Sequence, residues 1–102
     1  MTLDQLRIFV AVAERQHVTR AAQALGLTQS AVSAALSALE LRHGIRLFDR
    51  VGRNIVLNEM GQSFLHEARG VLARAAAAEL ALADMGALRR GRLSIHASQT
   101  IA

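Results

Sequence analysis

The first part of the chain carries apolar side chains at the spacing of an amphipathic helix, namely Leu3, Leu6, Phe9, Val10 and Ala13. Thr2 precedes them, and threonine is a favoured N-cap because its hydroxyl accepts a backbone N–H of the first turn. The pattern therefore predicts a first helix over residues 3 to 15, with its apolar side facing a core.

A second helix is predicted over residues 18 to 25, where apolar and small residues follow His17. Either His17 or Thr19 is placed to cap its start. Gly26 follows directly, and glycine adopts the left-handed conformation of a helix C-cap at little cost. We therefore expect this helix to end at Gly26.

A third helix is predicted between Thr28, its N-cap, and Gly44, its C-cap, over residues 29 to about 43. Only the segment Gly26-Leu27-Thr28 separates it from the second helix. Because so short a bend does not let two helices lie antiparallel, we expect them to cross steeply as a helix-turn-helix.

Two short segments after the third helix, residues 47 to 50 and 54 to 57, have the composition of β-strands. They flank Val51-Gly52-Arg53, which has the composition of a glycine turn. The pattern predicts a two-stranded hairpin, the wing of a winged helix-turn-helix.

A long fourth helix is predicted from Asn58, a good N-cap, to about residue 87. Within it, apolar residues alternate spacings of four and three, which is the heptad seam of a coiled coil. The seam residues are Phe64, Ala68, Val71, Ala75, Ala78, Leu82 and Met85. We expect the seam to pair two copies of the chain; the alternative is that it packs on the chain's own first helix.

The third helix has one apolar and one polar side. Val32, Leu36 and Leu39 share the first, whereas Gln29, Ser30, Ser33, Ala34 and Ser37 share the second. Small and amide side chains let a helix backbone enter the major groove, where glutamine reads adenine and alanine or serine meets thymine methyl groups. The polar side is thus a candidate recognition surface; the alternative is an ordinary solvated face.

The charge distribution favours the first interpretation, in which the polar side of the third helix meets a polyanionic partner, over an ordinary solvated face. The chain has a net charge of +4 with 12 basic residues, all arginine. Residues 1 to 57 hold 7 of these arginines against 4 acidic residues. Arg50 and Arg53 bracket the wing turn, where guanidinium groups are placed to grip phosphate or enter the minor groove.

No pattern in the chain indicates catalysis, a cofactor or a metal. His66-Glu67 begins like a zinc protease helix, but Gly70 stands where the second histidine is needed, and there is no cysteine. Charges interrupt the apolar stretches before the roughly 18 residues that a membrane span needs, and the N-terminus lacks the pattern of a signal peptide. We expect a cytoplasmic protein that is not an enzyme.

Several segments, in order and at matching spacing, carry a family resemblance: LRIFVAVAE at 6–14, TRAAQAL at 19–25, TQSAVS at 28–33, LE at 39–40, GIRLFDR at 44–50 and LNEMG at 57–61. Over essentially the whole chain the sequence resembles the LysR-type transcriptional regulators. The resemblance implies a winged helix-turn-helix that binds double-stranded DNA and a linker helix that pairs antiparallel in a homodimer. It also implies tetramers in full-length proteins and a small-molecule effector bound by a C-terminal domain.

By position, the resemblance assigns base contacts to Gln29, Ser30, Ser33 and Ala34. It assigns phosphate contacts to Thr28 and to Thr19 or Arg20, and a wing contact to Arg53. Many members have Arg or Lys at the position of Ala34, so this chain is expected to depend more on apolar readout and on its wing arginines.

The chain is expected to divide into a winged helix-turn-helix at residues 1–57 and a linker and dimerisation helix at 58–88. Residues 89–102 would then be a hinge and, from the alternation at 93 to 97, the first strand of an effector-binding domain that is otherwise missing. A competing interpretation is a protein-interaction module whose coiled coil is the main function.

Overall fold

The structure is a computed structural model that describes the backbone of residues 1–52 and 54–101 and the side chains of residues 1–52 and 54–91. Its elements in chain order are α1 (Leu3–Arg15), α2 (Val18–Leu25), α3 (Gln29–His43), β1 (Phe48–Val51), β2 (Asn54–Leu57) and α4 (Glu59–Ile101). This order confirms the predicted fold class, a mainly α winged helix-turn-helix followed by a long helix.

Side-chain hydrogen bonds fix where the first two helices begin. Thr2 Oγ1 accepts the N–H of Gln5 at 3.1 Å, and the Gln5 side chain accepts the N–H of Thr2 at 3.0 Å, which forms a capping box. His17 rather than Thr19 caps α2, because its Nδ1 accepts the N–H of Arg20 at 3.1 Å. The Thr19 hydroxyl is therefore available for another partner.

Helices α2 and α3 form the predicted helix-turn-helix. Gly26 ends α2 in the left-handed conformation with a φ of 68°, and Leu27 donates its N–H to Ala22 O at 2.9 Å. Thr28 then caps α3 by accepting the N–H of Ala31 at 3.1 Å. The chain bends by 107° between the two helices, which confirms the expected steep crossing.

The wing is an antiparallel pair in which Phe48 lies opposite Leu57 and Val51 opposite Asn54. Val51 belongs to β1 rather than to the turn, so only positions 52 and 53 separate the strands. Gly52 has a φ of 62°, a conformation that tight hairpin turns require and glycine adopts without strain.

Three phenylalanine rings join the helices to the wing. The fully buried ring of Phe9 lies 5.5 Å from the ring of Phe48 and 4.9 Å from that of Phe64, tilted by 55° and 58°. Tilted pairs stabilise a core beyond the apolar area that they bury. The α3 residues predicted to be core are also buried, namely Val32, Leu36 and Leu39.

Helix α4 begins within the first of two compact units, which spans Met1–Leu72. Asn58 is its N-cap as predicted, since Asn58 Oδ1 accepts the N–H of Gly61 at 2.8 Å. Ala68 is buried in the same cluster as the phenylalanine rings. Packing of the first compact unit therefore continues beyond residue 57, the predicted end of the winged domain.

Helix α4 continues to Ile101, which corrects two predictions. It does not end near residue 87, and residues 93 to 97 are helical rather than a strand. A lone strand leaves its backbone N–H and C=O groups without partners, whereas a helix satisfies them internally. The assignment of residues 89–102 to the start of an effector-binding domain stays a prediction.

Within the described part of the chain, no single helix is both long and apolar enough to cross a membrane. The bent pair Val18–Leu25 and Gln29–His43 meets that length and composition only when its members are taken together.

Candidate nucleic-acid interface

The polar side of α3 is exposed, as the recognition hypothesis requires. Gln29, Ser30, Ala34 and Ser37 are exposed and Ser33 is half-buried. Between residues 29 and 37 this side carries no side chain longer than glutamine. A major groove can therefore approach the helix backbone closely enough for short side chains to reach base edges.

A hydrogen bond joins two of the predicted contact residues across the helix-turn-helix. Thr19 Oγ1 donates to Gln29 Oε1 at 3.3 Å, which leaves the Gln29 amide N–H groups as donors. The Thr28 oxygen accepts the helix-capping bond from Ala31, and its hydroxyl hydrogen remains free to donate. The structure thus places donors where α2 and α3 meet.

Arginines lie beside this surface on both α2 and the wing. Arg20 is exposed and lines a shallow depression together with Arg15, His17 and Asn54. Arg50 of β1 is also exposed and lines a separate cavity between α3 and the wing. Position 53 lies outside the described residues, so the contact assigned to Arg53 stays a prediction.

The segment that joins α3 to the wing is held from two sides. From α3, Glu40 Oε2 accepts the N–H of Leu47 at 2.7 Å. From the start of α4, Asn58 donates its side-chain N–H to Arg46 O at 2.9 Å and its backbone N–H to Leu47 O at 3.0 Å. Sequence reasoning gave Asn58 only a capping role and gave Glu40 none, because these bonds join residues that are remote in sequence.

Gly61 lies against the same segment, in the first turn of α4. A methyl group at this position would overlap the carbonyl oxygen of Leu47 and the side chain of Leu57. The sequence contained one signal of this close approach, a glycine inside a predicted helix, where glycine costs about 1 kcal/mol relative to alanine. This signal did not identify which part of the chain lies against Gly61.

The seam predicted on α4 divides into packed and exposed positions. Phe64 packs on Phe9 of the first helix, as the alternative to pairing predicted, and Ala68 is fully buried in the chain's own core. Val71 is exposed, and Ala75 is half-buried. Farther along the helix, the remaining seam residues are exposed, namely Ala78, Leu82 and Met85.

Two arginines near α3 form no ion pair within the described residues, so their guanidinium groups can meet a bound anion. Among the described residues, ion pairs join Arg7 to Asp4 at 2.9 Å and Arg69 to Glu14 at 3.7 Å. In that same part of the chain, neither Arg46 nor Arg50 is in an ion pair. Nor do three His, Asp or Glu side chains come together as metal ligands anywhere in the described part of the chain.

A steep helix-turn-helix with a small-residue outer face, a hairpin wing and available arginines defines a winged helix-turn-helix DNA-binding domain. Comparison with known proteins gives the family. The chain belongs to the lysR family of bacterial regulatory helix-turn-helix proteins, whose profile matches residues 3–62. This confirms the resemblance and the prediction that the chain is not an enzyme, and it disfavours a module whose only role is protein interaction.

The chain is 44% identical over 102 residues, 99% of its length, to the uncharacterized HTH-type transcriptional regulator YeiE of Escherichia coli K12, of which the match covers 33%. It is 36% identical to the CbnR DNA-binding domain solved in complex with DNA, with a TM-score of 0.73 over 76% of this chain and 90% of that one. It is 35% identical to the BenM DNA-binding domain on a benA DNA site, with a TM-score of 0.72 over 76% of this chain and 86% of that one. The chain spans about a third of the length of the curated relatives that it matches.

Proposed function

We propose that this chain binds double-stranded DNA sequence-specifically as a homodimer, at an imperfect inverted repeat, in the bacterial cytoplasm where that DNA lies. In the whole protein it would form tetramers and control transcription in response to a small-molecule effector bound by a C-terminal domain. The observation that carries the proposal is the exposed small-residue face of α3 beside the wing.

Base readout is supported by the exposure of Gln29, Ser30, Ala34 and Ser37 together on one side of α3. The Thr19 bond to Gln29 Oε1 leaves the Gln29 amide N–H groups to donate to acceptors, which adenine, guanine and thymine all offer in the major groove. Ala34 contributes no charge and is suited to contact a thymine methyl group. Phosphate contacts are proposed for Thr28, Arg20, Arg50 and Arg53.

Pairing of two copies is supported by apolar side chains on α4 that the chain leaves in solvent. Leu82 and Met85 are 69% and 64% exposed, and they continue the heptad spacing of Val71, Ala75 and Ala78. Large apolar side chains repeated along one side of an exposed helix mark an interaction surface. The alanines between them permit close approach of a second helix.

The test of the function is selection of bound duplexes from a random DNA pool, followed by affinity measurement on the selected sequence. We expect two similar half-sites in inverted order at a fixed spacing, bound with a Kd of about 10⁻⁸ M or tighter at physiological salt. A duplex of the same composition in scrambled order is the control and should bind at least about a thousandfold more weakly. Failure to enrich any sequence, or equal binding of the scrambled duplex, would refute the proposal.

Replacing Leu82 with Glu is expected to convert the dimer to a monomer, because each copy would then bring a charge into an apolar seam. Sedimentation of the purified chain measures this directly. Leu80→Glu is the matched control, since Leu80 is 63% exposed but lies on the opposite side of the helix from the seam. Loss of pairing in both variants, or in neither, would contradict the seam assignment.

A further inference from the structure

The cavity between α3 and the wing combines polar groups from separate parts of the chain. It has a volume of about 140 Å³. Ser33 and Ser37 line it from α3, Arg50 lines it from β1, and Arg46 lines it from the segment between them. The buried side chain of Phe48 also lines the cavity. We call this space the α3–wing cavity.

The donors around the α3–wing cavity suit a phosphate group. A guanidinium offers several N–H donors in a plane that matches phosphate oxygens, and serine hydroxyls add single donors. Arg46 and Arg50 are both exposed, and neither is in an ion pair among the described residues. Ser37 lies on the same exposed side of α3 as the proposed base-reading residues, so a phosphate here would flank the bases being read.

One carboxylate also lines the cavity and opposes anion binding. Glu40 is half-buried, and its Oε2 accepts the N–H of Leu47, the residue that follows Arg46. The bond holds the segment that carries Arg46 against α3. The charge of Glu40 offsets one of the two arginines, which leaves about one net positive charge around the cavity.

We propose that the α3–wing cavity binds one phosphodiester group of the DNA that α3 reads, with Arg46 and Arg50 donating to its oxygens. The inference rests on the proposed DNA-binding function and adds Arg46, which the sequence pattern did not single out. Glu40 orients the segment that carries Arg46. Its negative charge also keeps the binding of an isolated phosphate ion weak. The dense charge of a duplex overcomes that repulsion.

Arg46→Ala tests the proposal against Arg42→Ala, a matched control. Arg42 is an exposed arginine on α3 that does not line the cavity, so each variant loses one positive charge. On the selected duplex, Arg46→Ala should lower affinity about tenfold or more at low salt. It should reduce the slope of log affinity against log salt by about 0.9 for each bound copy, whereas Arg42→Ala should leave the slope near that of the wild type.

Glu40→Gln is a second test, in which duplex affinity is expected to rise rather than fall. The amide oxygen still accepts the N–H of Leu47, but the negative charge is gone, so duplex affinity should rise about two- to fivefold at low salt. Inorganic phosphate added at constant ionic strength should not displace the duplex from the wild type. Unchanged or weaker duplex binding by Glu40→Gln with an unchanged Tm, or displacement by millimolar phosphate, would overturn the role given to Glu40.

The outcomes separate this inference from the function on which it rests. If the wild-type chain selects no duplex, the proposed function itself fails. Suppose instead that the wild type selects a duplex, and that Arg46→Ala and Arg42→Ala lower the duplex affinity and the salt slope equally. Then the arginines act only through long-range charge, and the α3–wing cavity holds no phosphate. That comparison does not depend on how Glu40→Gln folds.

Discussion

Replacing Phe9 with Ala is expected to lower the free energy of unfolding by about 3–5 kcal/mol. The ring is fully buried and touches both Phe48 and Phe64, so its removal leaves a cavity among the residues that join α1, the wing and α4. Small domains have a total stability of about 5–15 kcal/mol, so this loss would remove a large share of it. Urea unfolding followed by circular dichroism measures the effect.

Leu41→Ala is the control for Phe9→Ala, because Leu41 is 81% exposed. Its removal should change the free energy of unfolding by no more than about 0.5 kcal/mol, as for most surface substitutions. A loss below about 1 kcal/mol for Phe9→Ala would mean that the three rings do not form the centre of the core. Equal losses in the two variants would lead to the same conclusion.

The second large effect is expected at Gly61. Gly61→Ala should destabilise the chain by about 1–3 kcal/mol, since the added methyl group meets the backbone oxygen of Leu47 as well as the Leu57 side chain. A backbone carbonyl cannot rotate away as the end of a side chain can. The segment before β1 must then move away from α4, and we expect weaker duplex binding as the wing shifts relative to α3.

Gly70→Ala is the matched control in the same helix. Apart from its chain neighbours and the backbone of its own helix turn, a Cβ at Gly70 would meet no atom within 4 Å, and alanine restricts the unfolded chain more than glycine does. This variant should therefore be more stable than the wild type by about 0.4–1 kcal/mol and should bind the duplex equally well. Thermal unfolding and affinity measured on both variants decide the matter. Similar Tm values for the two would show that α4 does not approach Leu47 closely.

The helix-turn-helix could be predicted closely because its signals are local. Thr28 and Gly44 act through hydrogen bonds and backbone conformations within a few residues of themselves, and both caps are where the sequence placed them. The spacing of Val32, Leu36 and Leu39 likewise reports which side of α3 is buried. These features need no knowledge of the partner that covers them.

The base of the wing could not be predicted in the same way. Glu40, Asn58 and Gly61 matter because α3 and α4 both converge on Leu47, and each residue alone is compatible with an ordinary helix. Arg46 is similar, since an isolated arginine in a connecting segment is usually solvated. Its proposed role depends on the wing and α3 enclosing a shared cavity.

The amphipathic pattern on α4 was also ambiguous. A spacing of four and three describes a helix with one apolar side, whatever covers that side, and here Phe64 and Ala68 are covered by the chain's own core. Leu82 and Met85 follow the same spacing but remain exposed. Only the position of α1 and β1 in space separates the two groups.

For residues 1 to 58 the sequence by itself determined the order of helices and strands, most of their caps, the core side of α3 and the family, because these depend on side chains near each other along the chain. The tertiary structure alone decided which residues hold the wing against α3, where α4 stops being core and which arginines share a cavity. Those features arise from close packing between elements that are remote in sequence. The pattern of apolar and polar positions gives no information on how close such elements lie to one another.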